Sequence, residues 1–432
     1  MPVARLLIIG LFVLGWTAFT PAQEAWVDLF DGKTLEGWVN VNCGPETWSV
    51  RDGMIVCTGK PTGVLRTEKQ YQNYILELEW RHMEEGGNAG LFVHSDPITA
   101  RGQPFTRSIE IQILDGNHGD IFSIHGARLT PVIPHPRGWN RALPTEKRAR
   151  PDGEWNHYRV ESRDGVITLA VNGQVVNQAV NAVPRKGYIC LESEGSEIHF
   201  RNIRIRELPS HPAPDPVTAR MAENHKILYN GLDLRGWQSS AEPPAWTADD
   251  WILKPVTTEG EDRASRTLWT VSEYKNFNLI VDWRQVSDSV GRQMQHILPD
   301  GTPAKNADGS PLMVTVRDAG QSAIFLRGSE KASVQIWSHP IGSGGIEGYR
   351  SASNQESATR MAVTPMLKAD QDHGEWNRFE IVVEGQRVTV LLNDTVVVRN
   401  ALLRDLPLQG PIGLQFPEGQ IEFANIYILE KP

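Results

Sequence analysis

The chain has 432 residues, a formal net charge of -9, 22% charged and 40% hydrophobic residues, and 38 glycines with 28 prolines. That length holds two domains with cores of their own, and the composition is that of a turn-rich folded protein, which excludes a coiled coil or a disordered chain. An acidic balance also argues against nucleic acid as a partner, because such binding draws on clustered Lys and Arg to displace counterions.

The opening "MPVARLLIIGLFVLGWTAFTPAQ" places Arg5 before an apolar run that ends in Thr20, Pro21 and Ala22. Small residues at those positions suit a signal peptidase, so residues 1–22 are expected to be a signal peptide and the chain to be exported, periplasmic or extracellular. The apolar run is shorter than the roughly 20 residues that span a bilayer, and no membrane span is expected in the mature chain. Three cysteines follow, Cys43, Cys57 and Cys190. Cys43 and Cys57 flank a turn at Arg51-Asp52-Gly53, which allows either a bridge across a hairpin or two buried thiols, and no zinc spacing exists among the three.

Self-similarity organises the rest. "LFDGKTLEGW" from Leu29 returns as "LYNGLDLRGW" from Leu228, and "NYILELEWR" ending at Arg81 returns as "NFNLIVDWR" ending at Arg284. "GEWNHYRVESRDGVITLAVNGQVV" from Gly153 returns from Gly374, and "GYICLESEGSEIHFRNIRIREL" returns as "GPIGLQFPEGQIEFANIYILEK". Blocks repeated in one order at this spacing predict tandem domains, 23–208 and 225–432, joined by a proline-rich linker at 209–224. Within each copy the period is two. "VITLAVNGQVV" alternates around Asn172-Gly173, a pair that tolerates positive φ in a two-residue hairpin, and the second copy does the same around Asn393-Asp394. Short strands, frequent turns and scarcely any helical pattern predict an all-β fold, two antiparallel sandwiches or jelly rolls.

Alternation places Leu76, Leu78 and Trp80 on one side of their strand and Glu77, Glu79 and Arg81 on the other. In "GLFVHS", Leu91 and Val93 oppose Phe92 and His94; in "RSIEIQILDG", Ile109, Ile111 and Ile113 oppose Glu110 and Gln112. If these runs are neighbours in one sheet, Glu79, Arg81, His94, Glu110 and Gln112 line a common surface. Two long irregular stretches follow, carrying Asp115, His118, Asp120 and His125, then His135, Trp139, Arg141 and Glu146. Long loops in a compact sandwich commonly form a site, and a Trp among polar residues suits the apolar face of a sugar ring. The His and Asp residues could also take a metal, though they match no fixed metal motif.

Taken together, "LFDGKTLEGW", "GGNAGLFVHS", "SIEIQILDG", "GEWNHYRVE", "VNGQVV" and "ESEGSEIHFRNIRIREL" resemble the 3-keto-disaccharide hydrolase family, over nearly all of residues 25–208 and more loosely over 226–431. The resemblance implies concanavalin-like (lectin-like) jelly rolls, an exported location and a carbohydrate substrate, a glycoside already oxidised to a ketone at C3, cleaved by hydrolysis or by elimination across C1 and C2 followed by hydration. A C3 ketone acidifies the C2 proton, so a carboxylate or imidazole can remove it while a cation or metal holds the enolate. The expected assignments are Glu110 or His125 as base, Arg81 and Arg141 as oxyanion or hydroxyl clamps, and Gln112, Trp139, Glu146 and Arg107 as substrate contacts. Asp115 and His94 are the expected ligands of a divalent metal ion or orienters of the base; no nucleotide or organic cofactor is expected.

The second copy departs from this set, with Ser333 where Glu110 stands, Ser338 for Asp115 and Arg327 for His94, while Gln335 matches Gln112. The first half alone is therefore expected to carry the activity. A non-catalytic glycan-binding or cell-surface interaction protein is the competing expectation, because this scaffold serves lectins as well as enzymes. A G-x-S-x-G elbow and an H-E-x-x-H pair are both absent from the sequence.

Overall fold

A computed structural model describes residues 25–241, 244–256, 264–353 and 355–432; the expected signal peptide lies outside them. Among the described residues no helix is long and apolar enough to cross a membrane.

The first domain is two stacked antiparallel sheets, a jelly roll. Its outer sheet is built around Gln174–Val183, Val166–Val171, Asn156–Arg163, Tyr74–His82 and Ile198–Glu207, hydrogen-bonded in that order. The inner sheet runs Arg141–Ala142, Ile121–Ile124, Ser108–Gln112, Gly90–Ser95, Tyr188–Ser193, Gly63–Thr67, Trp38–Asn40. The period-two pattern does what it predicts. Leu76, Leu78 and Trp80 from one sheet meet Leu91, Ile109 and Ile111 from the other in a single core, each such side chain contributing about 1.5–3 kcal/mol by leaving water. Asn172 and Gly173 both take positive φ, 47° and 88°, which closes the predicted hairpin.

One expectation is corrected here. Tyr74–His82 and Gly90–Ser95 are consecutive but belong to opposite sheets, so their polar sides face opposite ways. Glu79 and Arg81 lie on the outer surface of the outer sheet. There Glu79 accepts from Arg201 at 2.6 Å, and Arg81 stacks over Trp155 and donates to His199.

The second domain repeats the plan. A large sheet centred on Asn276–Gln285, Asn377–Glu384 and Ile421–Lys431 packs against a smaller one containing Leu268–Thr270, Gly413–Leu414, Ser322–Leu326 and Ser329–Ile336. An added hairpin, Val290–Gln295 with Met313–Asp318, projects from it. The proline-rich linker runs along the first domain: Gln72 donates to His211 O at 2.6 Å, Ala219 N donates to Lys186 O at 2.8 Å, and Arg220 N donates to Asp96 at 3.0 Å. Cys43, Cys57 and Cys190 are buried, unlinked thiols.

Candidate functional site

The inner sheet of the first domain carries its polar residues on the face turned away from the core, in two rows set by register. Across one row stand Arg66, Cys190, Phe92, Glu110 and Phe122, with Arg141 opposite Phe122; across the next stand Val64 and Glu192, then Gly90 and Gln112. Because Gly90 has no side chain, the carboxyls of its neighbours fold in over it. A Cβ at that position would lie 2.6 Å from Glu192 Oε2 and 3.1 Å from Glu110 Oε1. Two acids on the strands that flank Gly90 thus share one dent, and only a glycine leaves room for both.

Electrostatics follow from that burial. Glu110 is 5% exposed and Glu192 1%. Glu192 Oε2 is buried with no hydrogen-bond partner among the described residues. Burial pushes Glu110 up from 4.5 to about 8, reinforced by Glu194 and opposed by Arg141. Burial, then the charge of Glu110, pushes Glu192 well above the usual carboxylate range; Glu194 is raised too, chiefly by burial. These directions are those of carboxylates removed from water beside one another. Gln112 Nε2 donates to Asn88 Oδ1 at 2.9 Å and Asn88 Nδ2 donates to Glu194, which orients the edge of the cluster. Arg141, stacked 3.9 Å over Phe122, holds Asp120 at 3.1 Å.

The other half of this face is apolar. Phe105, from the segment following Gly90–Ser95, meets Phe92 edge-on at 5.5 Å and completes a small cluster with Val41, Val64, Cys190 and Ile124. His125 stacks on Phe105 at 6.4 Å, and burial holds its imidazole down to about 4, so it is neutral at neutral pH. A hollow of about 440 Å³ opens there, lined by Arg101, Gln103, Arg107 and His125 of the first domain with Arg378 and Asp394 of the second. Arg107 is committed within it to a bidentate pair with Asp96, at 2.9 and 3.0 Å.

Of the residues expected from sequence, the structure brings Glu110, Gln112 and Arg141 together. It does not bring His94, whose strand turns left-handed there (φ 56°) and buries the ring: Nε2 meets Ser162 Oγ at 2.9 Å and Nδ1 meets Pro184 O at 3.0 Å. Asp115 stands in the loop beyond Gln112 and accepts from Gly86 N at 3.1 Å. His94 and Asp115 therefore do not form the expected ligand pair, and among the described residues no three His, Cys, Asp or Glu side chains are arranged to hold a metal. Arg81 is on the opposite surface, as described. Glu146 is exposed and pairs with Arg148 at 3.4 Å. Trp139, half exposed, stacks on His135 at 4.3 Å in the loop that leads into Arg141. His118 is structural: its Nε2 accepts from Arg148 N and Ala149 N and pins the long connection.

Glu192 and Glu194 were not singled out from the sequence. The signal lay in the duplicated block, where "CLESEG" becomes "GLQFPE", putting Gln415 and Pro417 at the matching positions. In the second domain Phe325 pairs with Ser333, as Phe92 does with Glu110. Trp269 takes the place of Arg66 and its ring covers Gly413, stacked on Phe325 at 5.5 Å. The paired acids are gone, and the neighbouring stretch of the face, over the counterparts of Cys190 and Phe92, is covered by an indole.

A jelly roll with converging buried acids on its open sheet face, beside aromatic and cationic side chains, has the features of a carbohydrate-active protein. The sequence matches the 3-keto-alpha-glucoside-1,2-lyase-like domain over residues 25–206 and again over 224–429, and the chain belongs to that family, in two tandem copies. Membership places it among glycoside-cleaving enzymes. A Bacteroides thetaiotaomicron protein named 3-keto-disaccharide hydrolase is 23% identical over 239 residues, covering 43% of this chain and 79% of that one. A solved Parabacteroides distasonis structure assigned as a glycosyl hydrolase is 23% identical with a TM-score of 0.35, over 43% of this chain and 94% of its own. A second from the same organism is 26% identical with a TM-score of 0.32, over 43% of this chain and 100% of its own.

Proposed function

We propose that the Glu110 face of the first domain is the sugar cleft of an exported enzyme that cleaves 3-keto-glycosides, 3-keto-disaccharides among them, by elimination and hydration. The observation that carries this reading is the meeting of Glu110 and Glu192 over Gly90. Two carboxyls held near a shared point, both raised by burial, of which Glu110 gives up its proton as the pH nears 8 while Glu192 keeps its own, are the pair such a reaction needs.

Glu110, as carboxylate, takes the proton from C2 of a sugar whose C3 ketone stabilises the resulting enolate. The charge gathers on the C3 oxygen. Arg141, whose charge reaches Glu110, lies close enough to favour it. As the enolate collapses, C1=C2 forms, the C1–O bond breaks, and the departing alkoxide takes a proton from Glu192. Water then adds across C1=C2: its hydroxyl bonds to C1 as its other proton returns to Glu192, Glu110 gives its proton back to C2, and net hydrolysis results with both acids restored. No paired-carboxylate oxocarbenium route is required. Phe122, the partly exposed Phe105 and the Trp139 loop supply the apolar surface for the ring.

Incubating the full-length protein with 3-keto-glucosides, with and without chelator, and identifying products by NMR tests this. A 2-hydroxy-3-keto-glucal supports the elimination step; direct appearance of 3-keto-glucose with no C2 exchange in D2O would rule it out. Export is tested separately by sequencing the N-terminus of the mature protein, expected at Gln23.

A further inference from the structure

The segment Asp96–Thr106, between Gly90–Ser95 and Ser108–Gln112, is replaced in the second copy by the Arg327-Gly328 turn. Its inward side roofs the apolar half of the cleft: Phe105 lies on Phe92, and Pro104 O accepts from Asn42 at 2.8 Å. Its outward side lies on the second domain. Gly102 N donates to Asp282 Oδ2 at 2.8 Å, Asn425 donates to Gln103 O at 2.9 Å, Arg378 donates to Thr99 O at 3.1 Å, and Thr99 Oγ1 meets the Tyr427 hydroxyl at 2.9 Å.

The receiving surface is a sheet face that an isolated sandwich would expose to water. Phe277, Leu279, Val281 and Trp283 point into the second domain's core, so Asn278, Ile280 and Asp282 point out. Ile280, Asp282, Asn425 and Tyr427 are nonetheless buried. Asp282 is fully buried and held by Arg378 at 2.6 and 2.8 Å, so the pair is desolvated and every acceptor position counts. Gly102 has φ 64°, and a Cβ there would lie 2.1 Å from Trp376 Cγ; the segment fits its seat only with glycine. At the corresponding positions of the first domain, Glu79, His157 and Asn202, no such guest lies among the described residues; Glu79 accepts from Arg201 and Asn202 instead.

We propose that the second domain positions the cleft of the first: Asp282, Arg378 and Asn425 are positioning residues that fix the 97–105 segment, and through it Phe105, as the apolar wall beside the sugar. This rests on the reading of the Glu110 face as the cleft. The second copy has given up its own acids and become the seat of the roof, so the first half alone does not retain full activity, contrary to the expectation from sequence.

The test uses full-length protein with Gly102→Ala, which unseats the segment, and Phe105→Ala, which removes the roof but leaves the seat. Hydrogen exchange reads the seat without reference to catalysis: Gly102→Ala should raise exchange in 97–106 at least ~10-fold while Phe105→Ala leaves Gly102 protected. With a 3-keto-disaccharide, both variants should raise KM at least ~5-fold with kcat changed less than ~2-fold, since the roof contributes to sugar binding and not to the proton transfers. Asp282→Asn should follow Gly102→Ala. Unchanged exchange in Gly102→Ala, or loosened exchange with unchanged KM, would overturn the proposal; so would a fall in kcat alone, which signals lost folded enzyme. Wild-type protein that turns over no 3-keto-glycoside would sink the proposed function and leave the seat to be judged by exchange.

Discussion

Glu110→Gln separates what this residue does for the reaction from what it costs the fold. The substitution keeps shape and removes the charge. In the wild type, burial raises the carboxyl from 4.5 to about 8, so between those values the folded chain holds a proton that the unfolded chain has released. A group raised in this way favours folding most below 4.5, loses that contribution as pH climbs, and levels off above 8. At about 1.4 kcal/mol per pH unit the wild type gives up on the order of 3–5 kcal/mol across that range through this one group. Glutamine has no proton to lose. The variant should therefore match the wild type within about 1 kcal/mol at pH 4.5 and exceed it by several kcal/mol at pH 9 in urea unfolding of the first domain, while turnover of a 3-keto-disaccharide falls by about 10² to 10⁴. A variant no more stable than wild type at pH 9 would show that Glu110 is not desolvated, and one that keeps full turnover would show that it is not the base.

With Glu110 acting as a carboxylate, kcat/KM should rise about tenfold per pH unit below an apparent pKa near 8; a flat profile from pH 6 to 9 would remove it from the proton transfer. Arg81→Ala should leave kcat/KM within about twofold, because Arg81 sits over Trp155 on the far side of the sandwich; a tenfold loss would contradict that placement. His94→Ala should destabilise the first domain by about 2–4 kcal/mol, since it leaves a cavity and strands the partners of two buried hydrogen bonds, with KM unchanged; a stable variant with altered KM would return His94 to the site.

Much of the fold could be read from the chain because it rests on local rules. Period-two alternation picked out the core side of Tyr74–His82 and Ser108–Gln112, and Asn172-Gly173 marked its turn by the backbone conformation those residues tolerate. Alternation, however, assigns a face and not a partner. Residues 74–82 pair with 156–163 and 198–207, far along the chain, which is why Glu79 and Arg81 were expected beside Glu110 and are not. His94 fails for a different reason: one left-handed residue at the end of a strand breaks the alternation. Glu110, Gln112 and Arg141 were legible because two of them alternate on one strand and the third enters from a neighbouring loop. Glu192 and Glu194 could have been found by extending to the last repeated block the comparison that exposed Ser333. The seat of the 97–105 segment on Asp282 has no signature in either copy alone, since it exists only between them.

Trp269 lying across Gly413 has a bearing on how the protein should be counted. Two matching halves invite the assumption of two equivalents of ligand for every polypeptide, yet the second face carries Ser333 and Gln415 in place of the paired acids, with an indole lying beside them. Calorimetric titration with an unreactive analogue should accordingly saturate at one equivalent, and a duplicated gene product would behave, to anything that binds it, as a single receptor.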